Sequence, residues 1–206
     1  MKKELTYFNI QESYGGNQNW FSDPMMKLGG CAAVVSCDLC IYLKMIKGYE
    51  HLYPFNINSL KKDDYIEFSK IMKPYLHPRI KGIDTLELYI DGFRKYLDDI
   101  NDNLIEIKPF SGENSVDSAK EIIINQIDKD MPIPFLLLKH KNKKIKELIW
   151  HWFLIIGYEQ SDDDLLIKIV TYGKYECISL NNLWDTGYEK KGGMIIVNLE
   201  KELNKK

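Results

Sequence analysis

A cysteine at a glycine-led helix start is the first feature of this sequence that could do chemistry. Cys31 follows Gly29 and Gly30 and opens the apolar run "CAAVVSCDLCIYL". Unpaired backbone N–H groups and the positive end of a helix dipole stabilise a thiolate at such a position. The same N–H groups can help to form an oxyanion hole. Position alone leaves two interpretations open, a nucleophilic thiol and a buried structural one.

A nucleophilic cysteine needs a base, and the sequence contains four histidines. Three of them lie in segments with the composition of loops or turns: His51, His77 and His140. His151 is different, because it lies between two tryptophans at the start of the apolar stretch "HWFLIIGY". A lone histidine on such a strand is more often a hydrogen-bonded core residue, and pairing with Cys31 is the alternative.

Two segments together resemble the signatures of papain-like cysteine peptidases. They are "GGCAAVVSCDLCIYL" and, 120 positions after its cysteine, "HWFLIIGYE". The sequence is most similar to the bacterial branch related to bacteriocin-leader peptidases, in which a helical region separates the cysteine from a Pro-led strand and a His-led strand. The segments "MPIPFLLL" and "IVTYGKYECISLNNLW" follow the same order. The resemblance implies a papain-like fold and a cysteine peptidase, a hydrolase of peptide or amide bonds.

The resemblance also implies roles for individual residues. Cys31 would be the nucleophile, held as a thiolate, and His151 the base that later protonates the leaving group. Family members complete the oxyanion hole with a glutamine upstream of the cysteine, and Gln18 is the nearby candidate. Gln18 lies 13 positions before Cys31, so the intervening residues are expected to loop out. The alternative for Gln18 is an ordinary loop amide.

The third catalytic position departs from the family pattern. An Asn or Asp normally orients the histidine from the following strand, whereas the matching segment "KIVTYG" offers Thr171. A threonine hydroxyl could hold the ring but is not a charged acceptor. The turn Asp162–Asp164 is expected to face solvent. Two alternatives to a peptidase therefore stay open, an acyl or amide transferase acting on a small substrate and a catalytically degenerate papain-like binding domain.

The hydrophobic pattern predicts an α+β fold in a single domain, residues 1–206. The predicted helices are Cys31–Lys47 ending at Gly48, 62–73, 84–100 starting at Asp84 or Thr85, and 116–129 capped by Ser115. The predicted strands are 104–108, 133–140, 148–159, 165–173, 174–180 and 193–199, with a helical turn near "NNLWDT". Residues 12–26 are expected to form an ordered loop. A helical part (about 28–130) would then carry Cys31 on a central helix, and an antiparallel sheet (about 131–200) would carry His151.

Composition excludes several other classes of protein. A net charge of −2 and a pI near 6.1 give no general case for nucleic-acid binding, and the basic run 139–147 is typical of a solvated turn. No apolar stretch is long enough to span a membrane, and no signal peptide is visible, so a cytoplasmic protein is expected. The expected partner is a peptide or small-amide substrate, and the oligomeric state stays open.

The remaining cysteines do not indicate a cofactor or a metal. Four cysteines, three of them within ten residues, do not resemble a secreted disulfide framework and are expected to be free thiols. Cys37 and Cys40 have the spacing of a redox pair but lie inside the predicted helix. They also lack the second ligand pair of a zinc site. No cofactor and no metal are therefore predicted.

Overall fold

Helices and antiparallel strands combine in an α+β arrangement in the computed structural model, which describes residues 1–79, 82–161 and 163–200. The helices are α1 (Pro24–Gly29), α2 (Cys31–Lys47), α3 (Lys62–Met72), α4 (Leu86–Asp99), α5 (Val116–Asp128) and α6 (Leu180–Trp184). The strands are β1 (Lys2–Glu4), β2 (Asn9–Ile10), β3 (Ser13–Tyr14), β4 (Ile105–Ser111), β5 (Ile133–Leu137), β6 (His151–Gln160), β7 (Leu165–Thr171), β8 (Lys174–Ser179) and β9 (Gly193–Leu199). No helix in these ranges is long and apolar enough to cross a membrane.

The main sheet has seven strands in the order β4-β9-β5-β6-β7-β8, with β1 also paired to β6. The pairing is antiparallel throughout. β5 pairs with the first half of β6, and β1 pairs with its second half. β1 and β4 come from outside residues 131–200, so the sheet is not confined to the part of the chain predicted to form it. β6, which begins at His151, is therefore bordered by three strands.

Helix α2 has the predicted bounds, beginning at Cys31 and ending before Gly48. Gly48 adopts a left-handed conformation (φ 76°), and its N–H bonds to the carbonyls of Leu43 and Lys44. Residues 31–43 are all buried, because α2 packs against β6 and also contacts α3. The nearly continuous apolar sequence of this helix follows from burial on more than one side.

Several predicted boundaries are confirmed by side-chain caps, and others shift. The hydroxyls of Thr85 and Ser115 accept the backbone N–H groups of Leu88 and Ser118 and so begin α4 and α5. The predicted strand 148–159 starts later, at His151, because residues 143–148 form a 3₁₀ helix and Trp150 has a positive φ of 55°. β5 and β7 likewise end earlier than predicted, at residues 137 and 171.

The expectation of a loop over residues 12–26 is wrong in part. The segment contains β3, a 3₁₀ turn at Gln18–Trp20 and the start of α1 at Pro24. The Asp23 side chain accepts the N–H of Met26, and Pro24 occupies the first turn, where its missing N–H costs nothing. An Asp-Pro pair is a helix-start signal, and the sequence interpretation missed it.

A buried carboxylate connects α2 to the N-terminal segment and to α3. Asp38 accepts hydrogen bonds from the hydroxyls of Tyr7 and Tyr65, each at 2.8 Å, and from the backbone N–H of Gly16 at 3.1 Å. Gly16 has no room for a side chain, since a Cβ there would lie 1.9 Å from the Tyr65 hydroxyl. Burial raises the pKa of Asp38 to about 6, although the three hydrogen bonds lower it.

The raised pKa of Asp38 predicts a pH-dependent effect of Asp38→Asn on stability. The folded protein binds the proton more tightly than the unfolded chain, so stability is lost as pH rises from 3.8 through about 6. Asparagine cannot ionise, and we expect the unfolding free energy of the variant, relative to the native protein, to increase by about 2 kcal/mol between pH 4 and 7. Urea denaturation at both pH values measures this change. A difference that does not vary with pH would contradict the assignment.

Candidate functional site

The N-terminus of α2 and the first residue of β6 face a common cleft. Cys31 and His151 both line this cavity of about 720 Å³, together with Gln18 and Tyr172. A smaller cavity behind it is lined by Cys31, Gln18, His151 and Thr171, among others. The fold therefore brings together all four residues that the sequence singled out as catalytic candidates. Asp162 lies outside the described residues, and the Asp164 carboxylate accepts the N–H groups of the neighbouring Leu165 and of Asn181 in α6.

The sulfur of Cys31 is surrounded by backbone donors but is also buried. Burial raises the pKa of the Cys31 thiol, and the backbone N–H groups of Trp152, Ala32 and Cys31 itself oppose that rise. Burial is the larger effect, because a thiolate loses its hydration in this position. At neutral pH the ligand-free protein therefore holds a neutral thiol, with amide donors already directed at the sulfur.

The imidazole of His151 is held from one side by a hydroxyl. Its Nε2 lies 2.6 Å from Thr171 Oγ1, which leaves Nδ1 as the nitrogen available to the cleft. Burial lowers the pKa of His151 to about 4, so the ring is neutral at pH 7. Among the described residues, no hydrogen bond joins the Cys31 sulfur to either ring nitrogen. These features favour a neutral thiol and imidazole at rest over the thiolate that the family resemblance implies.

The hydrogen bond between His151 and Thr171 leaves the imidazole tautomer open. A hydroxyl both donates and accepts, so either Nε2–H donates to Thr171 or the Thr171 hydroxyl donates to Nε2. Only the first arrangement leaves the lone pair on Nδ1, where a base is needed. An asparagine carbonyl, which only accepts, would select that arrangement outright.

Gln18 reaches the site through a short helix rather than a loose loop. It begins the 3₁₀ turn, is buried, and donates from Nε2 to the carbonyl of Lys27 in α1 at 3.3 Å. Helix α1 therefore occupies part of the segment that was expected to loop out. An amide NH₂ carries two hydrogens, so one donor remains for a ligand in the cleft beside Cys31.

Tyr172, which was not predicted as a site residue, covers the histidine ring. The two rings are stacked, with centroids 4.5 Å apart and planes 6° from parallel. Tyr172 Oη lies 3.3 Å from His151 Nδ1, but parallel rings bring it to the face of the imidazole rather than along its in-plane lone pair. We therefore treat the contact as stacking that shields and orients the ring.

The turn that carries Tyr172 is fixed by the N-terminal segment. Tyr172 (φ 51°) and Gly173 (φ 75°) form the two-residue connection between β7 and β8, with the positive φ angles of a tight hairpin turn. Asn17 donates from Nδ2 to the Tyr172 carbonyl at 2.8 Å, and the Tyr14 N–H donates to the Gly173 carbonyl at 2.8 Å. A Tyr-Gly pair between two strands was the sequence signal for this turn.

The two tryptophans beside His151 have opposite environments. Trp152 is buried, and its Nε1 donates to the Ile83 carbonyl at 2.6 Å. Trp150 lines the cleft and is 46% exposed, while its backbone N–H donates to the Leu138 carbonyl at 3.0 Å. A left-handed conformation is unusual for a bulky residue and is often found at functional sites. Trp150 therefore forms part of the cleft wall.

The other candidate groups lie away from this cleft. His51 Nε2 lies 2.5 Å from the buried carboxylate of Asp102, and His140 Nε2 lies 2.9 Å from the Asn182 carbonyl. All four cysteines are free, with Cys177 exposed on β8. In the part of the chain that the structure describes, no group of three or more His, Cys, Asp or Glu residues could hold a metal ion.

Comparison with known proteins identifies no family for this chain. The chain matches none of the protein-family models against which it was scanned, and it matches none of the curated proteins. Only the site itself therefore indicates a function: a thiol at a helix start, a histidine on a strand packed against that helix, and the polar and aromatic groups around them.

Substitution of Thr171 tests whether its hydroxyl orients the histidine. Thr171→Val removes the acceptor for Nε2–H, and we expect the alkylation rate of Cys31 by iodoacetamide near neutral pH to fall by about tenfold or more. Thr171→Asn supplies a carbonyl acceptor and should restore or exceed the native rate. Mass spectrometry of the Cys31 peptide measures both rates. Equal rates in the native protein and the valine variant would exclude an orienting role.

The stacked phenol predicts a shift in the pKa of His151 when it is removed. Tyr172→Ala admits water to the ring, and because burial is what lowers the His151 pKa, we expect that pKa to rise from about 4 toward 6.5. Tyr172→Phe keeps the stacked ring and serves as the matched control, with a pKa close to the native value. An NMR titration of the His151 ring protons measures the change. An unchanged pKa in the alanine variant would show that the ring does not shield His151.

Proposed function

We propose that the protein is a papain-like thiol enzyme that cleaves a peptide or amide bond through an acyl-enzyme intermediate. One observation supports this most: Cys31 at the N-terminus of α2 shares an open cleft with His151, whose Nε2 is held by Thr171. The imidazole thus keeps Nδ1 for the cleft. A cavity of about 720 Å³ is within the usual range for a ligand site.

The reaction follows from the positions of these groups. As the Cys31 sulfur attacks the substrate carbonyl carbon, His151 Nδ1 takes the thiol proton. The Cys31 backbone N–H and the remaining Gln18 Nε2–H stabilise the oxyanion. The C–N bond then breaks, the imidazolium protonates the departing amine, and a thioester remains. Water, deprotonated by His151, attacks the thioester and releases the acid and the free thiol.

Burial makes His151 a general base rather than half of a resting ion pair. The pKa of the thiol is raised and that of the imidazole is lowered, so both groups start neutral. The charges then develop only during attack, when the N–H groups of Trp152 and Ala32 stabilise the developing thiolate. A neutral resting site also avoids the desolvation cost of two buried charges.

One observation favours a second candidate, a papain-like binding domain without activity. In the described residues, no hydrogen bond joins the Cys31 sulfur to His151. A site that has lost its activity would not need this bond. An open cleft favours the enzyme instead, since a domain that had lost catalysis could fill this space with side chains. Catalytic hydrogen bonds are also often long in ligand-free enzymes and tighten when substrate binds.

The pH dependence of Cys31 alkylation by iodoacetamide distinguishes these candidates. We expect Cys31 to react at every pH above the His151 pKa of about 4, because the neutral imidazole removes the thiol proton. In His151→Ala, the reaction should require alkaline pH, since burial raises the pKa of the unaided thiol. Base-assisted alkylation should also slow in D₂O.

The other cysteines provide internal controls for this measurement. Cys37 and Cys40 are buried and should stay unmodified, while the exposed Cys177 serves as an accessible reference thiol. If Cys31 follows the pH profile of Cys177 and does not respond to His151→Ala, the enzyme proposal is wrong and the binding domain becomes the better interpretation. For an active enzyme, transfer of the acyl group to a dilute amine acceptor in preference to water would identify a transferase.

A further inference from the structure

The cleft beside Cys31 has a positive rim on a protein whose net charge is negative. Arg79, Lys139 and Lys190 line it, and Asp84 is the one acidic residue among its described lining residues. Three positive charges and one negative charge give this lining a formal charge of +2, against −2 for the whole chain. A cleft of one sign focuses the field and attracts ligands of the opposite sign.

These three cations have no acidic partner in the described part of the chain. Several lysines elsewhere form ion pairs with carboxylates; Lys2 and Lys108, for example, lie 2.8 and 2.7 Å from Glu159 and Glu106. The Lys139 Nζ instead lies 5.9 Å from the ring centroid of Tyr188. No carboxylate of the described residues therefore forms a direct ion pair with these three cations, and a ligand carboxylate could do so.

The same cleft collects exposed apolar side chains. Leu28, Met25 and Trp150 line it and are 81%, 50% and 46% exposed. Tyr188 is also exposed and lines an adjoining cavity of about 480 Å³, which shares Trp150 and Lys139 with the cleft. Large apolar side chains clustered at a cleft indicate a binding surface. Two connected cavities also offer more room than a small amide requires.

We infer that the substrate is an acidic peptide in which a carboxylate side chain neighbours an apolar one. This inference rests on the proposed function and adds the substrate class. The apolar side chains at the cleft would contact the apolar residue, and the rim cations would attract the carboxylate. A basic peptide would meet uncompensated repulsion at Arg79, Lys139 and Lys190.

The first experiment compares two alkylating reagents of similar size and different charge. Iodoacetate is an anion and iodoacetamide is neutral, so the ratio of their rates at Cys31 reports the local potential independently of the thiol's reactivity. In the variant Arg79→Glu/Lys139→Glu/Lys190→Glu, we expect this ratio to fall about tenfold at an ionic strength of about 0.01 M. Added salt should shrink the difference.

A matched control separates the rim from net charge. Lys61, Lys95 and Lys129 are exposed and do not line the cleft or the adjoining cavity. Replacing all three with glutamate changes the net charge by the same amount and should leave the rate ratio near its native value. A control variant that lowers the ratio as much as the rim variant would overturn the inference.

The second experiment uses peptide vinyl sulfones that carry leucine next to Glu, Gln or Lys and modify Cys31 covalently. We expect the Glu probe to react fastest and the Lys probe slowest, and the order to be lost in the rim variant. If iodoacetamide labels Cys31 but the Glu probe has no advantage, the inference fails and the proposed function survives. A Cys31 that reacts with no reagent would overturn the proposed function and the inference together.

Discussion

The buried carboxylate of Asp38 is the interaction on which the arrangement of the site depends. It accepts a hydrogen bond from the Gly16 N–H and so fixes the position of the next two residues, Asn17 and Gln18. Asn17 holds the turn that carries Tyr172, and Gln18 lies beside the nucleophile candidate. A single carboxylate on the central helix thus aligns both the donor and the ring that covers the histidine. Its two phenol partners make the burial of this acid tolerable.

Burial shapes the site in a second way, because it favours the neutral forms of both the Cys31 thiol and the His151 imidazole. The same low-polarity surroundings strengthen the amide donors that face the Cys31 sulfur. Charged side chains are placed farther out, at the rim, where solvent supports them. The site therefore has two zones. Cys31 and His151 lie at a buried centre with little water, and the cations Arg79, Lys139 and Lys190 lie at a solvated rim. The buried centre and the charged rim belong to one cleft at the ends of α2 and β6. These two rigid elements fix the distance between the centre and the rim.

The sequence predicts the local features of this fold well and its long-range contacts poorly. The bounds of α2, the cap at Ser115 and the α+β class follow from apolar periodicity and capping chemistry, which act over a few residues. The stacking of Tyr172 on the histidine depends on strand pairing across the sheet, which periodicity does not encode. The apolar neighbours of Trp150 predict that it belongs to a continuous strand. Its backbone instead adopts a left-handed conformation, and the strand begins one residue later. Helix α1 is a different case. Its start signal, the pair Asp23 and Pro24, is local and could have been recognised from the sequence.

The hydrogen bond from Asn17 to the Tyr172 carbonyl joins residues 155 positions apart and has a consequence for biosynthesis. A ribosome makes Asn17 and the thiol-bearing helix long before it makes the turn that covers the histidine. Contacts between distant residues form late, because the closure of a long loop must precede them. The growing chain therefore carries an unassembled site until Tyr172 has also emerged from the ribosome. The cleft around Cys31 and His151 can form only after that point, however early its first half is made.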